Sequence, residues 1–579
     1  MSETDKEKKA VIEFKDFGFQ YFSQAEPTLS NINLTIYKGE KVLIAGASGS
    51  GKSTLGNCLN GLIPFAYKGE ITGSLKIDGK ETKESTIFEL SKKVGTVLQD
   101  SDGQFIGLTV GEDIAFALEN DCVAQSSMKE TVQHVADIVD MGALLKSSPY
   151  ELSGGQKQRV SFAGVMVDDV DIFLFDEPLA NLDPLTGKTA IDLIDKVQKQ
   201  SGKTKTVVII EHRLEDVLYR NVDRIIVVSE GKIAADMTPD ELMASGILPG
   251  LGIREPLYVT ALKHASVNIT PQIKAGRLET LDIKSVKDSI INQYKKSPPK
   301  KNEIDNRPVI LQTENLCFQY TKKRAILRDI NISIRQGEMV SIVGTNGAGK
   351  STLAKVICGF VKEDSGRVLY NGEDIKDLTI KERSKYIGYV MQNPNQMICK
   401  PLIYDEVALG LRLRKVPEDE IKQKVQNALE ICGLASFRSW PVSALSFGQK
   451  KRVTIASMLV MNPDILILDE PTAGQDYRRY TEIMEFLKSL NEKGVTIIMI
   501  THDMHLMLEY TPHAIVIAGG KKIADSSAVD ILTDRRITEQ ANLKVTSLYE
   551  LAEKAGIENP SAYVQSFIDF EHSVSRYGS

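Results

Sequence analysis

The sequence predicts an α/β fold in two tandem copies, each built on a doubly wound, mostly parallel core sheet, and three observations carry that expectation. First, a glycine-rich loop, an apolar run closing on Asp-Glu and a further apolar run closing on a histidine all occur twice, in the same order. Second, Ser153 and Ser446, Asp176 and Asp469, and Asp183 and Asp476 are each separated by 293 residues, so duplication of one module accounts for both halves. Third, the 579 residues exceed what a single core fills, whereas two domains of roughly 200 residues can each bury their own.

Taken in order, each half opens with short alternating segments ending in a Gly-Glu turn, Lys38-Gly39-Glu40 and Gln336-Gly337-Glu338, and an apolar strand then enters the glycine loop. The Lys52 to Lys350 offset is 298, so the first half carries five extra residues, expected as a surface loop around Pro64 to Gly73. The runs Thr206 to Ile210 and Val495 to Ile500 read as buried parallel strands between helices. Beyond each core, Leu257-Tyr258 with Ala261 and Lys263 echoes Leu548-Tyr549 with Ala552 and Lys554, which suggests a small helical tail on each half. From about Ile269 to Arg307 the chain turns polar and carries Lys295-Lys296-Ser297-Pro298-Pro299-Lys300-Lys301, which suits an exposed, solvated linker better than a phospholipid or nucleic-acid site. The expected division is a flexible start at 1–10, domains at 11–245 and 308–535, a helical tail with linker at 246–307, and a C-terminal helical tail at 536–579.

A hydrophobic content of 42%, a charged content of 26% and a net charge of -6 are ordinary for a soluble protein and give no general reason for nucleic-acid binding, so any phosphate affinity must be local. The start, Met1 to Lys9, lacks a secretory apolar stretch, and no run approaches the roughly 20 apolar residues of a membrane span. A cytosolic chain is expected. Its six cysteines, Cys58, Cys122, Cys317, Cys358, Cys399 and Cys432, form no close pair and read as reduced core or surface residues rather than a metal cluster.

The two loops are Gly46, Ala47, Ser48, Gly49, Ser50, Gly51, Lys52, Ser53 and Thr54, and Gly344, Thr345, Asn346, Gly347, Ala348, Gly349, Lys350, Ser351 and Thr352. Small residues let successive backbone N–H groups turn toward an anion while the following helix offers its positive end to the same place, so phosphate is the natural ligand. Lys52 and Lys350 are placed to bridge β and γ phosphates, and the Ser53 and Ser351 hydroxyls to ligate Mg²⁺. Four apolar residues precede Asp176-Glu177 and Asp469-Glu470, which puts these acids at the end of a buried strand, where open α/β sheets hold ligands. Asp176 and Asp469 are then assigned to the Mg²⁺ shell, and Glu177 and Glu470 to activation of the attacking water; paired acids at a solvated strand end are the competing reading.

With Leu152-Ser153-Gly154-Gly155-Gln156 and Leu445-Ser446-Phe447-Gly448-Gln449 lying between the glutamines and the acidic strands, most of both halves resembles the ATP-binding cassette family. The resemblance implies two P-loop ATPase domains with helical signature subdomains, and ATP and Mg²⁺ as cofactors. It further implies that Gln99 and Gln392 touch Mg²⁺ and water while sensing a partner, and that His212 and His502 touch the γ phosphate. Asp183 in Asn181-Leu182-Asp183 and Asp476 in Gly474-Gln475-Asp476 resemble the loop that links two sites, with helix capping as the competing role. Tyr21 and Tyr320, in matching Phe-Gln-Tyr segments, stack on adenine by the same resemblance, with strand packing as the alternative.

In this family the signature of one cassette covers ATP held by the other. The N-terminal ATP is therefore expected on Lys52, Ser53, Gln99, Glu177 and His212 beneath Ser446, Gly448 and Gln449. The C-terminal ATP is expected on Lys350, Ser351, Gln392, Glu470 and His502 beneath Ser153, Gly155 and Gln156. Phe447 departs from the pattern, replacing the first signature glycine with a side chain that needs space, so two sites of unequal hydrolysis rate are expected.

Gln99 to Phe105, followed by Thr109-Val110-Gly111-Glu112-Asp113-Ile114-Ala115-Phe116, looks like the energy-coupling factor ATPases of vitamin and cobalt or nickel importers; Gln392 to Gln396 with Asp405-Glu406-Val407-Ala408 is a weaker copy. That resemblance implies a peripheral protein on the cytoplasmic face of the cell membrane, one copy per complex. Its partners are a transmembrane coupling subunit and a separate membrane substrate-binding subunit, with no direct nucleic-acid contact. Asp102, Glu112, Asp113, Asp405 and Glu406 either receive basic side chains of the coupling helices or form a solvated face. The rival readings are a fused sugar-importer ATPase and a soluble twin-cassette translation factor; no heptad insertion supports the coiled-coil DNA-repair relatives.

Overall fold

The computed structural model describes residues 9–99, 101–180, 182–200, 202, 204–299, 306–321, 324–473 and 475–577. The chain divides into two compact units, one of Met1–Leu182 and Thr186–Gln293, the other of Asp183–Leu185 and Tyr294–Ser579.

In the first unit the strands are β1 (Ala10–Tyr21), β2 (Leu29–Tyr37), β3 (Lys41–Ala45), β4 (Gly69–Ile77), β5 (Lys80–Glu81), β6 (Val94–Val97), β7 (Ile172–Asp176), β8 (Thr206–Ile210), β9 (Arg224–Ser229) and β10 (Lys232–Met237). Six of them form a sheet in the order β10-β9-β3-β8-β7-β6. All its pairs are parallel except β10 on β9. The near-continuous Val/Ile runs of β3 and β8 are buried along their whole length, as a sheet covered on both faces requires. The remaining strands make a separate antiparallel sheet, β2-β1-β4-β5. The opening segments are thus longer than the alternating pattern suggested, β1 reaching 12 residues through bulges at Phe14/Phe17 and Phe17/Phe19. One core joins both sheets through the helix Lys52–Leu59, with Phe14, Phe17 and Ile32 packed with Leu55, Leu59 and Val208.

The second unit repeats this plan with β11 (Val309–Thr321), β12 (Arg324–Arg335), β13 (Met339–Val343), β14 (Ser365–Tyr370), β15 (Glu373–Asp374), β16 (Ile387–Val390), β17 (Ile465–Asp469), β18 (Thr496–Ile500), β19 (His513–Ala518) and β20 (Lys521–Ser527). Its sheets run β16-β17-β18-β13-β19-β20 and β12-β11-β14-β15. Helices Ile403–Leu413, Glu418–Ile431 and Phe447–Leu459 pack on a small core of their own around Val407, Leu411, Val425, Leu429 and Val453. This is the expected helical subdomain. Its counterpart in the first unit comprises Val110–Asn120, Gln125–Ile138 and Gly154–Met166.

Two local expectations need correction. The extra residues after Gly61 make a short turn over Leu62–Phe65, with Ile63 buried in an extended conformation, then run exposed through residues 66–68 into a longer β4, so only part of the expected surface loop is irregular. Within the polar stretch 269–307, residues Ile283–Lys296 form a helix with Val286 and Ile290 buried, an i, i+4 apolar pair hidden among charged neighbours. Lys295 and Lys296 therefore end a helix, while Lys300 and Lys301 lie outside the described residues. The echoed tails are helices, Leu257–His264 in one half and Ser547–Ala555 followed by Pro560–Tyr577 in the other. No described helix is long and apolar enough to cross a membrane.

Candidate active sites

β3 delivers the chain into the glycine loop, and the backbone there excludes side chains. Gly51 has φ 104°, and a Cβ on it would come within 2.8 Å of Leu29 Cδ2; Gly349 has φ 101° and the same clash with Leu327. The helices that follow, Lys52–Leu59 and Lys350–Ile357, present their first turns to the loop. Lys52 is buried and its ammonium donates to Gly46 O and Ala47 O, both at 2.7 Å. Lys350 does the same to Gly344 O at 2.8 Å and Thr345 O at 3.0 Å, and its burial lowers its pKa, with Glu470 opposing.

The acids stand at the end of the neighbouring strand. Asp176 closes β7, and its Oδ1 is buried without a hydrogen-bond partner. Burial pushes its carboxyl up to about 6, and the adjacent Glu177 adds to the rise. A desolvated carboxylate oxygen left unpaired is what a divalent cation compensates, so this residue set fits Mg²⁺. In the other unit Asp469 is bonded by the hydroxyls of Ser351 and Tyr389, the latter at 3.0 Å; burial still raises its pKa. Ser351 and Asp469, the two residues expected to hold Mg²⁺, are therefore already hydrogen-bonded to each other, whereas Ser53 is exposed to solvent.

Glu177 and Glu470 both adopt φ 47°, a left-handed conformation that bulky residues rarely take, and their N–H groups donate to Ile210 O and Ile500 O at 2.9 Å. Two independent copies hold the same strained backbone at the residue assigned as base, which is where such strain gathers at functional sites. Burial raises the Glu177 pKa, with His212 opposing. The side-chain partners differ between copies. Gln99 Nε2 donates to Glu177 Oε2 at 2.6 Å, and His212 Nδ1 lies 4.0 Å from Glu177 but 3.2 Å from Glu211. His502 Nδ1 instead sits 2.8 Å from Glu470 itself.

Other expected residues carry structural duties. Ser153 and Gln156 cap the helix Gly154–Met166 reciprocally, as Ser446 and Gln449 cap Phe447–Leu459. Phe447 is half exposed on that first turn; at the matching Gly154 a Cβ would meet only Leu182, at 3.8 Å, so packing within the unit does not demand glycine there. Asp476 caps Tyr477–Glu492 through Arg479 N at 2.9 Å, the competing role anticipated for it. Asp183 is buried. Asn181 and Gly474 lie outside the described residues, as do Asp100 and the side chain of Asp102. Tyr21 is half-buried, bonds Thr54 Oγ1 at 3.2 Å and meets Phe19 edge-on, while Tyr320 meets Phe318 edge-on and is 55% exposed. Of the acidic residues proposed for a partner, Glu406 is buried and accepts from Cys399 N and Lys400 N; Asp405 pairs with Arg412, and Asp113 accepts from Ile106 N and Gly107 N. Glu112 completes a capping box with Thr109.

Sequence reading missed three contributors. Lys451 is fully buried and donates to Met391 O and Gln392 O, both at 2.9 Å, bracing the glutamine loop. Glu211 and Arg213 flank His212, where the other copy has Thr501 and Asp503. The signal for all three was a mismatch between copies at aligned positions.

Comparison with known proteins now decides the family. The ABC transporter family model matches residues 29–180 and 327–473, the two stretches that hold the loops and acids just described. The chain belongs to the ABC transporter ATP-binding family. A model described as ATP-binding cassette cobalt transporter matches residues 245–318, the segment containing the helices Leu257–His264 and Ile283–Lys296. A protein of Clostridium perfringens named as an ABC transporter ATP-binding protein is 60% identical over 98% of this chain and 100% of its own length. Similarly named proteins of Enterococcus faecalis and Photobacterium profundum are 55% and 54% identical, over 99% and 97% of this chain and 100% and 99% of their own. The solved structure of cbiO1 from Clostridium perfringens, described as part of the ABC transporter complex cbiONQ, is 37% identical, covers 41% of this chain and 95% of its own, and gives a TM-score of 0.38. This ABC transporter ATPase thus carries two ATP-hydrolysing domains in one polypeptide.

Proposed function

We propose that this ATPase energises an energy-coupling factor type importer of a vitamin or related micronutrient, a thiamine precursor, cobalt or nickel. The observation that carries the reading is the match of residues 245–318 to a cobalt-transporter module placed between two matched ATPase domains. The chain works at the cytoplasmic face of the membrane beside a transmembrane coupling subunit, and a separate membrane protein selects the cargo. ATP is clamped between the halves: the phosphate loop of one holds it and the signature of the other covers it.

Within each site the residues divide the work. Ser53, Gln99 and Asp176, and Ser351, Gln392 and Asp469, would hold Mg²⁺, which would supply neutralisation of the phosphate charge. Lys52 and Lys350 exchange the loop carbonyls they now cap for phosphate oxygens. Glu177 and Glu470 orient and deprotonate the attacking water, and His212 and His502 hold the γ phosphate. Phe447 in one signature makes the two sites unequal in hydrolysis rate.

The test is purification of the intact chain from membranes with identification of its partners, followed by ATP-driven uptake in vesicles rebuilt from that complex. The reading expects a polytopic coupling subunit, a small substrate-binding membrane protein, and vitamin or cobalt uptake. A sugar permease as sole partner, or sedimentation with ribosomes and no membrane partner, overturns it.

A further inference from the structure

The two copies present the same base and histidine in different company, and the difference traces to one buried side chain. Glu211 is 1% exposed and uses both carboxylate oxygens. Oε1 accepts from His212 N at 2.9 Å and Arg213 N at 3.2 Å, and faces His212 Nδ1 at 3.2 Å; Oε2 accepts from Leu179 N at 3.3 Å. Arg213 Nη2 donates to the carbonyl of that same Leu179, so the peptide groups just beyond Glu177 are held from both sides. In the second unit Thr501 takes this position. Its hydroxyl accepts from Asp503 N at 3.0 Å and lies 3.5 Å from Glu470 Oε2, and Asp503 caps the next helix instead of clamping the loop.

From this we propose that Glu211 is a positioning residue for ATP hydrolysis in the first unit: it draws the switch histidine off the catalytic carboxylate and anchors the backbone behind it, leaving Glu177 to Gln99. The reasoning is geometric. An imidazole nitrogen can satisfy one carboxylate at hydrogen-bond distance, and which nitrogen carries the proton is set by the group behind it. With Glu211 behind Nδ1, the ring directs Nε2 elsewhere and Glu177 stays within reach of Gln99 at 2.6 Å. With Thr501 there, His502 turns Nδ1 onto Glu470 at 2.8 Å. Base activity in the first unit is thereby tied to the glutamine loop, and in the second to the histidine. The proposal rests on Glu177 and Glu470 being the bases.

The experiment uses the intact chain and the variants Glu211→Thr and Glu211→Gln. Steady-state ATP hydrolysis, MgATP binding, melting temperature and the side-chain ¹⁵N resonances of histidine, with His212 assigned by difference from His212→Ala, are measured on each. Glu211→Thr is expected to lower kcat measurably but by no more than about twofold, since only one of two sites is altered, with KM for MgATP unchanged. It should also move the His212 resonance; Glu211→Gln, which keeps an acceptor oxygen, should restore most of the turnover. Unchanged kcat in both variants overturns the proposal. So does a raised KM with a lower melting temperature and an unmoved His212 signal, the pattern of a purely structural carboxylate. Absence of hydrolysis by the unaltered chain would instead strike the assignment of the bases, which is a different failure.

Discussion

Replacing His513 with arginine should remove a pH-dependent part of the second unit's stability without removing the interaction itself. His513 begins β19 and lies between two carboxylates, Nδ1 at 2.6 Å from Glu338 and Nε2 at 2.6 Å from Asp525, with Lys522 also on Asp525 at 2.7 Å. Burial lowers its pKa, but the hydrogen bonds from Asp525 and Glu338 outweigh that and raise it from 6.5 to about 9. At 1.36 kcal/mol per decade this corresponds to about 3 kcal/mol. The sign follows from the folded state binding the proton more tightly: the stabilisation is complete below pH 6.5 and is lost as pH rises through about 9. The lowered pKa of Asp525 works at the other end, contributing above 3.8 and failing as pH falls below it. Arg224 occupies the same register position in the first unit, pairing with Glu40 at 3.3 Å and Asp236 at 3.1 Å, so the sheet accepts a cation that does not titrate. The single tryptophan, Trp440, lies in the second unit, so its fluorescence during urea unfolding follows that unit alone. The free-energy difference between wild type and His513→Arg should grow by about 3 kcal/mol between pH 6 and pH 9.5 in favour of arginine. Lys451, whose pKa burial lowers to about 8, titrates in the same range but is common to both proteins and cancels. A difference that stays flat with pH refutes the charge network.

Two further outcomes are expected. Glu177→Gln and Glu470→Gln should each cut ATP turnover but by unequal factors, because the bases have different partners; indistinguishable losses in steady-state assays would remove the claim that the sites differ. Lys451→Met should destabilise the second unit by roughly 1–3 kcal/mol through orphaned carbonyls of Met391 and Gln392, while Lys451→Gln should cost less; Trp440-detected unfolding reads both.

What the sequence revealed was chemistry carried by neighbours along the chain. Glycines with φ above 100°, a lysine one residue later and an Asp-Glu pair closing an apolar run all declare themselves locally, because phosphate and metal contacts require them at fixed spacing. The capping duty of Ser153 and Ser446 follows a local Ser-x-x-Gln pattern too, but went unread because those residues were assigned to nucleotide. What stayed hidden was long-range. Nothing near Glu211 in sequence announces that Leu179 will lie against it, and nothing near Lys451 announces the carbonyls of Met391 and Gln392, some 60 residues away. The helix Ile283–Lys296 was hidden for another reason: its buried face is only two residues wide in a charged stretch, too little for composition to register.

Two of the substitutions between copies keep the donor while changing its charge or titration. Gln158 donates to Pro178 O where Lys451 donates to Gln392 O, and Arg224 and His513 each bridge two carboxylates; a donor replaces a donor while the charge or its titration changes. A homodimer would have to make any such change at both sites at once, whereas a fused chain can alter one. Asp176 and Asp469 show the consequence. Tyr389 gives Asp469 a hydroxyl at 3.0 Å, but Thr96, its counterpart in β6, is too short to do so: Thr96 Oγ1 and Asp176 Oδ1 both lie buried without partners. Asp469 is thus partly compensated by the protein, while Asp176 Oδ1 has no such donor. If Mg²⁺ binds as proposed, the first unit should therefore gain more in stability from it than the second, which unfolding with and without Mg²⁺ would show.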